Sequence, residues 1–107
     1  MKYEIIYYNE SVEESILTMP VGLQARYISL SIRMQLHGAH LGEPHTKGLG
    51  DGLFELRLKG AEGIARVFYC TLVCQRIVML HSFVKKTQKT PVGNMRIARS
   101  RMQEVKK

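Results

Sequence analysis

Apolar and polar positions along the chain repeat with two different periods, and the switches between them predict seven elements. Residues 3–8, Tyr-Glu-Ile-Ile-Tyr-Tyr, are β-branched and aromatic and read as a strand. Ser11-Val12-Glu13-Glu14 fits a capping box, in which the Ser11 hydroxyl accepts from the Glu14 amide and the Glu14 carboxylate reaches back to the Ser11 amide. A short helix over 12–18 follows, with Val12 and Ile16 on one face, and Pro20 ends it and opens the next. From 21 to 37 the positions Leu23, Tyr27, Leu30 and Met34 recur at helical spacing, and Ile28, Ile32 and Leu36 widen the stripe into a broad buried face. Gly38 suits the left-handed backbone needed just past a helix end. Residues 38–52 hold five glycines and Pro44 and read as a loop with no phosphate-binding fingerprint.

Three strands in close succession come next. Over 53–59 the side chains alternate, so that Phe54, Leu56 and Leu58 face the core while Glu55, Arg57 and Lys59 face the other way. Gly60-Ala61-Glu62-Gly63 turns the chain, and the apolar runs 64–72 and 76–84 are joined by a tight connection near Val73–Gln75. Thr90-Pro91 marks a final helix start, with Met95, Ala98, Met102 and Val105 as a narrow apolar stripe among Arg96, Arg99, Arg101, Lys106 and Lys107. Strands and helices are segregated rather than alternating. The expected class is α+β, in the order β-α-α-β-β-β-α, with an antiparallel sheet packed on one side by a helical hairpin. At 107 residues, one domain over 1–107 is expected.

Charge sharpens this picture. Sixteen Lys and Arg against nine Asp and Glu leave +7, and the excess is one-sided: residues 1–53 carry −2 and residues 54–107 carry +9. Such an imbalance points to a polyanionic partner, with a merely basic soluble protein as the plainer alternative. No apolar run approaches the length that spans a bilayer, and no membrane partner is expected. The start Met1-Lys2-Tyr3-Glu4 does not resemble a signal peptide, so the cytosol is the expected compartment. Cys70 and Cys74 are too few for a disulfide framework, and His37, His40 and His45 match no standard zinc spacing; no metal and no cofactor are expected.

Candidate chemistry sits on three cationic features. Arg57 and Lys59 share the outward face of one strand. Arg66 interrupts the apolar strand Ile64-Ala65-Arg66-Val67-Phe68-Tyr69, so it either meets Glu55 or another acid, or faces a groove that takes an anion. The segment His81 to Thr90 leaves a strand as a basic run with Lys85, Lys86 and Lys89 and no acid. In a meander these clusters can converge on one surface suited to a phosphodiester. His81 is either a backbone-bonded strand residue or a proton carrier, and Tyr69 either core or a stacking surface.

The stretches Gly52-Leu53-Phe54-Glu55-Leu56-Arg57, Arg66-Val67-Phe68-Tyr69 and Leu80-His81-Ser82-Phe83-Val84-Lys85-Lys86-Thr87-Gln88-Lys89-Thr90-Pro91 resemble the RelE/HigB toxin superfamily, in its phage-derived HigB-like branch. The resemblance runs from the first strand to Ala98. It implies a RelE-like microbial ribonuclease fold and the toxin of a type II toxin–antitoxin pair. Such a toxin is an endoribonuclease (mRNA interferase) that cleaves mRNA, commonly on the ribosome, and inhibits translation. It also implies an antitoxin partner, often a helix-turn-helix protein. By position, Arg66 matches the arginine that contacts the scissile phosphate, Arg57 a basic residue of the preceding strand, and Lys85 and Lys86 the basic pair after the last strand. Lys47, Lys59, Tyr69, His81 and Lys89 are further RNA-binding candidates. Glu55 stands where the RelE branch carries lysine, and no tyrosine or histidine follows Pro91. The chemistry needs neither metal nor protein nucleophile, because the substrate's own 2′-hydroxyl attacks; the protein aligns it and stabilises the charge that develops. A crowded cationic groove can also depress a lysine pKa enough for proton transfer. Two other classes stay open: a non-catalytic RNA- or protein-binding member of the same fold, of prophage origin, and a basic structural phage protein.

Overall fold

The computed structural model describes residues 2–85 and 92–107. Eight elements follow in chain order: β1 (Glu4–Tyr7), α1 (Glu10–Leu17), α2 (Val21–His37), β2 (Thr46–Gly50), β3 (Leu53–Gly60), β4 (Gly63–Leu72), β5 (Arg76–Lys85) and α3 (Val92–Val105). The class is α+β, as the segregated pattern implies, and the three strands of the meander fall where alternation places them. The sheet runs β1-β5-β4-β3-β2.

Three features depart from the sequence reading. The sheet is mixed, because β1 pairs parallel to β5 through Ile5–Ile77 and Ile6–Val78; strand direction is decided by this distant pairing, which local pattern does not carry. The glycine-rich stretch expected as loop contains β2, which pairs antiparallel with β3. Its sequence, Thr-Lys-Gly-Leu-Gly, has too few side chains to show a period. The cap of α1 is Asn9 rather than Ser11: Val12 N–H donates to Asn9 Oδ1 at 2.9 Å. The expected cap of α3, Thr90-Pro91, lies outside the described residues.

Each sheet face buries its own apolar layer. On one face Leu56, Leu58, Ala65, Val67, Tyr69, Ile77 and Met79 meet Val12 and Ile16 of α1 and Leu23, Tyr27, Leu30 and Met34 of α2. This is the helical hairpin expected from the pattern. On the opposite face Leu53, Phe68, Cys70, Val78 and Leu80 meet Ala98 and Met102 of α3. Burying each such side chain contributes about 2 kcal/mol, so both layers matter. The stripe of α2 is narrower than expected: Ile28, Ile32 and Leu36 are 47%, 49% and 49% exposed. Polar bonds fix α3 in place. Arg101 Nη1 donates to Leu80 O (2.8 Å) while its guanidinium lies over the Tyr8 ring, and Arg99 Nη2 donates to Leu49 O (2.7 Å). These two arginines of the basic helix are therefore engaged in structure.

The turns show why the strands stop. Gly60 and Gly63 close the β3–β4 hairpin, with Gly63 at φ 134°, a region that L side chains rarely adopt. Between β4 and β5, Cys74 and Gln75 both take positive φ, so Cys74 sits in the turn. Both cysteines are free thiols. Among the described residues, no helix is long and apolar enough to cross a membrane. Replacing the cap tests the start of α1. Asn9→Ala should cost about 1 kcal/mol in urea unfolding, and Ser11→Ala at most a few tenths; equal losses would return the cap to Ser11.

Candidate functional site

The register of the meander stacks the charged residues into three cross-strand rows on the face that α3 covers only in part. Lys59, Ile64 and Lys85 form the outermost row. Arg57, Arg66 and Phe83 form the next. Lys47, Glu55, Phe68 and His81 form the third, beside the apolar layer under α3. Side chains two residues apart on a strand share a face, so the spacing 55-57-59 and 64-66-68 brings these groups together.

Glu55 is the centre of the cluster and is almost fully buried, at 1% exposure. Its two oxygens accept from Arg66 Nη1 at 2.9 and 2.7 Å, and Oε2 also accepts from Arg57 Nε at 2.8 Å. Arg57 and Arg66 are direct cross-strand partners. Two like charges in that position repel, and the carboxylate between them offsets the repulsion. Arg57 also lies 3.8 Å from the exposed Glu43 carboxylate. Lys85 is buried at the end of β5, and its pKa is lowered from the ordinary lysine value. Burial is the main cause and the nearby Arg66 charge the second, while Glu55 opposes them. One carboxylate thus faces three cations, and the cluster keeps net positive charge.

A cleft of about 410 Å³ opens beside this cluster. It lies where β2 gives way to the loop before it: Arg57 N–H donates to His45 O at 2.8 Å, one residue ahead of β2. Arg26 of α2, His45, Arg57, Lys59 and Arg66 line it together with Pro44, Leu58 and Ile64. Among the described residues, four cationic side chains and one imidazole therefore surround a space the size of a nucleotide, and no carboxylate lines it.

Arg57, Lys59 and Arg66 meet in the cleft, Lys85 stands behind Arg66 and Lys47 lies opposite Glu55 in the third row. Lys86 and Lys89 lie outside the described residues. Tyr69 is not brought to the site. It is fully buried on the hairpin face, where its hydroxyl donates to Ala39 O at 2.8 Å and lies 3.2 Å from His40 Nδ1. It cannot stack on a surface ligand, because its ring is core. His81 stands in the third row, away from the cleft, with Nε2 2.6 Å from Asn94 Oδ1 and its ring beside Phe68 and Phe83. Sequence reasoning missed Arg26 and His45, whose only signal was residue type. It treated Glu55 as a departure, whereas the carboxylate orients both arginines. Arg66 pairs with Glu55 and also lines the cleft. Among the described residues no three His, Cys, Asp or Glu side chains converge as a metal site requires.

Residues 14–103 match the family described as phage-derived protein Gp49-like (DUF891). The chain belongs to that family, which is one of RelE/HigB-like toxins. No curated protein matches the sequence.

Because Arg66 is only 11% exposed in its side chain, its pairing with Glu55 should be measurable. Arg66→Ala should lower unfolding free energy by about 3 kcal/mol, and a double-mutant cycle with Glu55→Ala should give a coupling near 2 kcal/mol. Additive losses in urea would mean that the pair contributes nothing beyond its separate packing.

Proposed function

We propose that the protein is the toxin of a type II toxin–antitoxin pair, in the HigB-like branch, and acts as a metal-independent endoribonuclease on mRNA held by the ribosome. The observation that carries this reading is the cleft that places Arg26, Arg57, Lys59 and Arg66 around one space with no lining carboxylate. The family's place among RelE/HigB-like toxins supports it as well.

In this reading Arg57 and Arg66 hold the scissile phosphate, and their guanidinium donors match the equatorial oxygens that gain charge in the transition state. Glu55 is a positioning residue that keeps both guanidiniums aimed from below. The substrate's 2′-hydroxyl attacks the adjacent phosphorus, the bond to the 5′-oxygen breaks, and a 2′,3′-cyclic phosphate and a 5′-hydroxyl result. One proton leaves the 2′-oxygen and one reaches the 5′-oxygen. His45 is the lining imidazole, whose ring nitrogens can accept and donate a proton, and it carries proton transfer. Lys85 and Lys86 supply positive charge that offsets the negative charge of the transition state, and Lys47, Lys59 and Lys89 attract the RNA backbone. The antitoxin, a helix-turn-helix protein in this reading, restrains the toxin in the cell.

The second reading, a non-catalytic RNA- or protein-binding member of prophage origin, draws on one specific observation. Glu55 already occupies donors of both Arg57 and Arg66, so a phosphate must share or displace it. Ribosome-programmed cleavage assays separate the two. The wild type should cut mRNA to 5′-hydroxyl ends, with Arg57→Ala and His45→Gln each lowering the rate about a hundredfold or more. Unaltered mRNA with intact RNA binding would favour the second reading. The lowered pKa of Lys85 adds a pH signature. Its ammonium charge is present below that pKa and lost above it, so affinity for non-cleavable 2′-O-methyl RNA should fall as pH rises through it, before free lysine would titrate. Lys85→Arg should remove that limb, and an unchanged profile would dismiss Lys85 as a contact.

A further inference from the structure

We propose that the outer face of α2 is a docking surface for an amphipathic helix of a partner protein, one whose apolar stripe is flanked by carboxylates. The inner face of α2 is spent on the sheet through Leu23, Tyr27, Leu30 and Met34. On its outer side Ile28, Ile32 and Leu36 stand four residues apart, and each is about half exposed. A single exposed isoleucine is ordinary, but a line of three along two helical turns, about 12 Å long, is a surface that the other described residues leave half exposed. At 77% exposure, Val21 extends the apolar character towards the start of the helix. Receiving a helix of matching spacing is what such a line does best.

Charge decides what kind of helix fits. Between Val21 and His37 the helix carries Arg26 and Arg33 and no acid. The acid nearest its start, Glu62, accepts from Gly22 N–H at 3.1 Å and is thereby engaged. The acids of the hairpin, Glu10, Glu13 and Glu14, are on α1. A second copy of this chain is a poor occupant. Two α2 helices crossing antiparallel near their middles set Arg26 against Arg33 of the other copy, and a parallel pair brings no acid to either arginine. Neither arrangement offers a carboxylate, whereas a foreign helix with glutamates beside its apolar stripe meets both cations. Arg26 also lines the cationic cleft, so a helix seated over Ile28–Leu36 ends at the rim of that cleft. Assigning this partner to the antitoxin rests on the toxin reading; the surface itself does not.

The test uses the full chain and a stapled helical peptide of about 16 residues with leucine at i, i+3, i+7 and i+10 and glutamate on both flanks. A control peptide carries lysine in place of glutamate. Fluorescence anisotropy should show saturable binding of the glutamate peptide and at least about tenfold weaker binding of the lysine peptide. Ile32→Asp should abolish binding, and Arg33→Glu should weaken it about tenfold and improve the lysine peptide. Circular dichroism melts confirm that both variants are folded, and both should keep the wild-type ribonuclease rate. If the wild type cuts no RNA but the peptide binds as described, the toxin reading fails and the surface stands. Three results would overturn the proposal: equal binding of the two peptides, insensitivity to Ile32→Asp, or no binding at millimolar peptide. So would a dimer in sedimentation that Ile32→Asp dissolves, or binding to anionic vesicles in place of the peptide.

Discussion

A buried carboxylate beneath two guanidiniums organises the charged half of the sheet face that α3 leaves open. Glu55 sits at 1% exposure on the central part of β3, where an unpaired charge would be too costly to keep. Arg66 from β4 and Arg57 from its own strand supply the compensation. In return the acid permits two arginines to stand directly opposite each other across the β3–β4 ladder. Without it, that juxtaposition would push them apart and into solvent. A pair of guanidiniums immobilised in advance is what an anionic transition state uses best, because no reorganisation is needed as charge develops.

The rest of the fold serves this arrangement by dividing the sheet. The hairpin α1–α2 packs on one face. On the other face α3 covers the apolar end and leaves the rows containing Glu55, Arg57, Arg66 and Lys85 to polar chemistry. The position of α3 is set by Arg99 and Arg101, which bond to carbonyls of β2 and β5. Part of the basic excess of the C-terminal half is therefore structural; Arg96, Lys106 and Lys107 stay exposed at α3, and the cleft gathers Arg26, Arg57, Lys59 and Arg66. The chain's membership of a RelE/HigB-like toxin family is consistent with that division of labour.

Much of the fold was legible in the sequence, wherever a local pattern decides the outcome. Strands β3 to β5 and helix α2 follow from alternation and from the Leu23-Tyr27-Leu30-Met34 spacing. Where partners are distant in sequence, the pattern was silent. The parallel pairing of β1 with β5 and the existence of β2 depend on backbone bonds to remote strands. The outward position of Ile28 and Ile32 depends on how α2 rolls onto the sheet, which an apolar count along the helix overstates. The same limit applies to the site. Arg57, Lys59 and Arg66 were visible as charges set in strands, and their shared face follows from two-residue spacing. Arg26 and His45 come from a helix and a loop that the fold carries to the cleft, so no motif announces them. Tyr69 shows the opposite error: an aromatic three residues from a candidate arginine points to the other face, because residues an odd number apart in a strand do so.

The central claim is that Arg57 and Arg66, held by Glu55, form the seat for an RNA phosphate. Nitrogen-15 NMR of the arginine Nε–H groups during titration with a 2′-O-methyl RNA oligonucleotide tests it most directly. The account predicts saturable shifts of the Arg57 and Arg66 signals at one common affinity, lost in Glu55→Ala. Shifts confined to arginines of α3, with Arg57 and Arg66 unmoved at saturation, would contradict it.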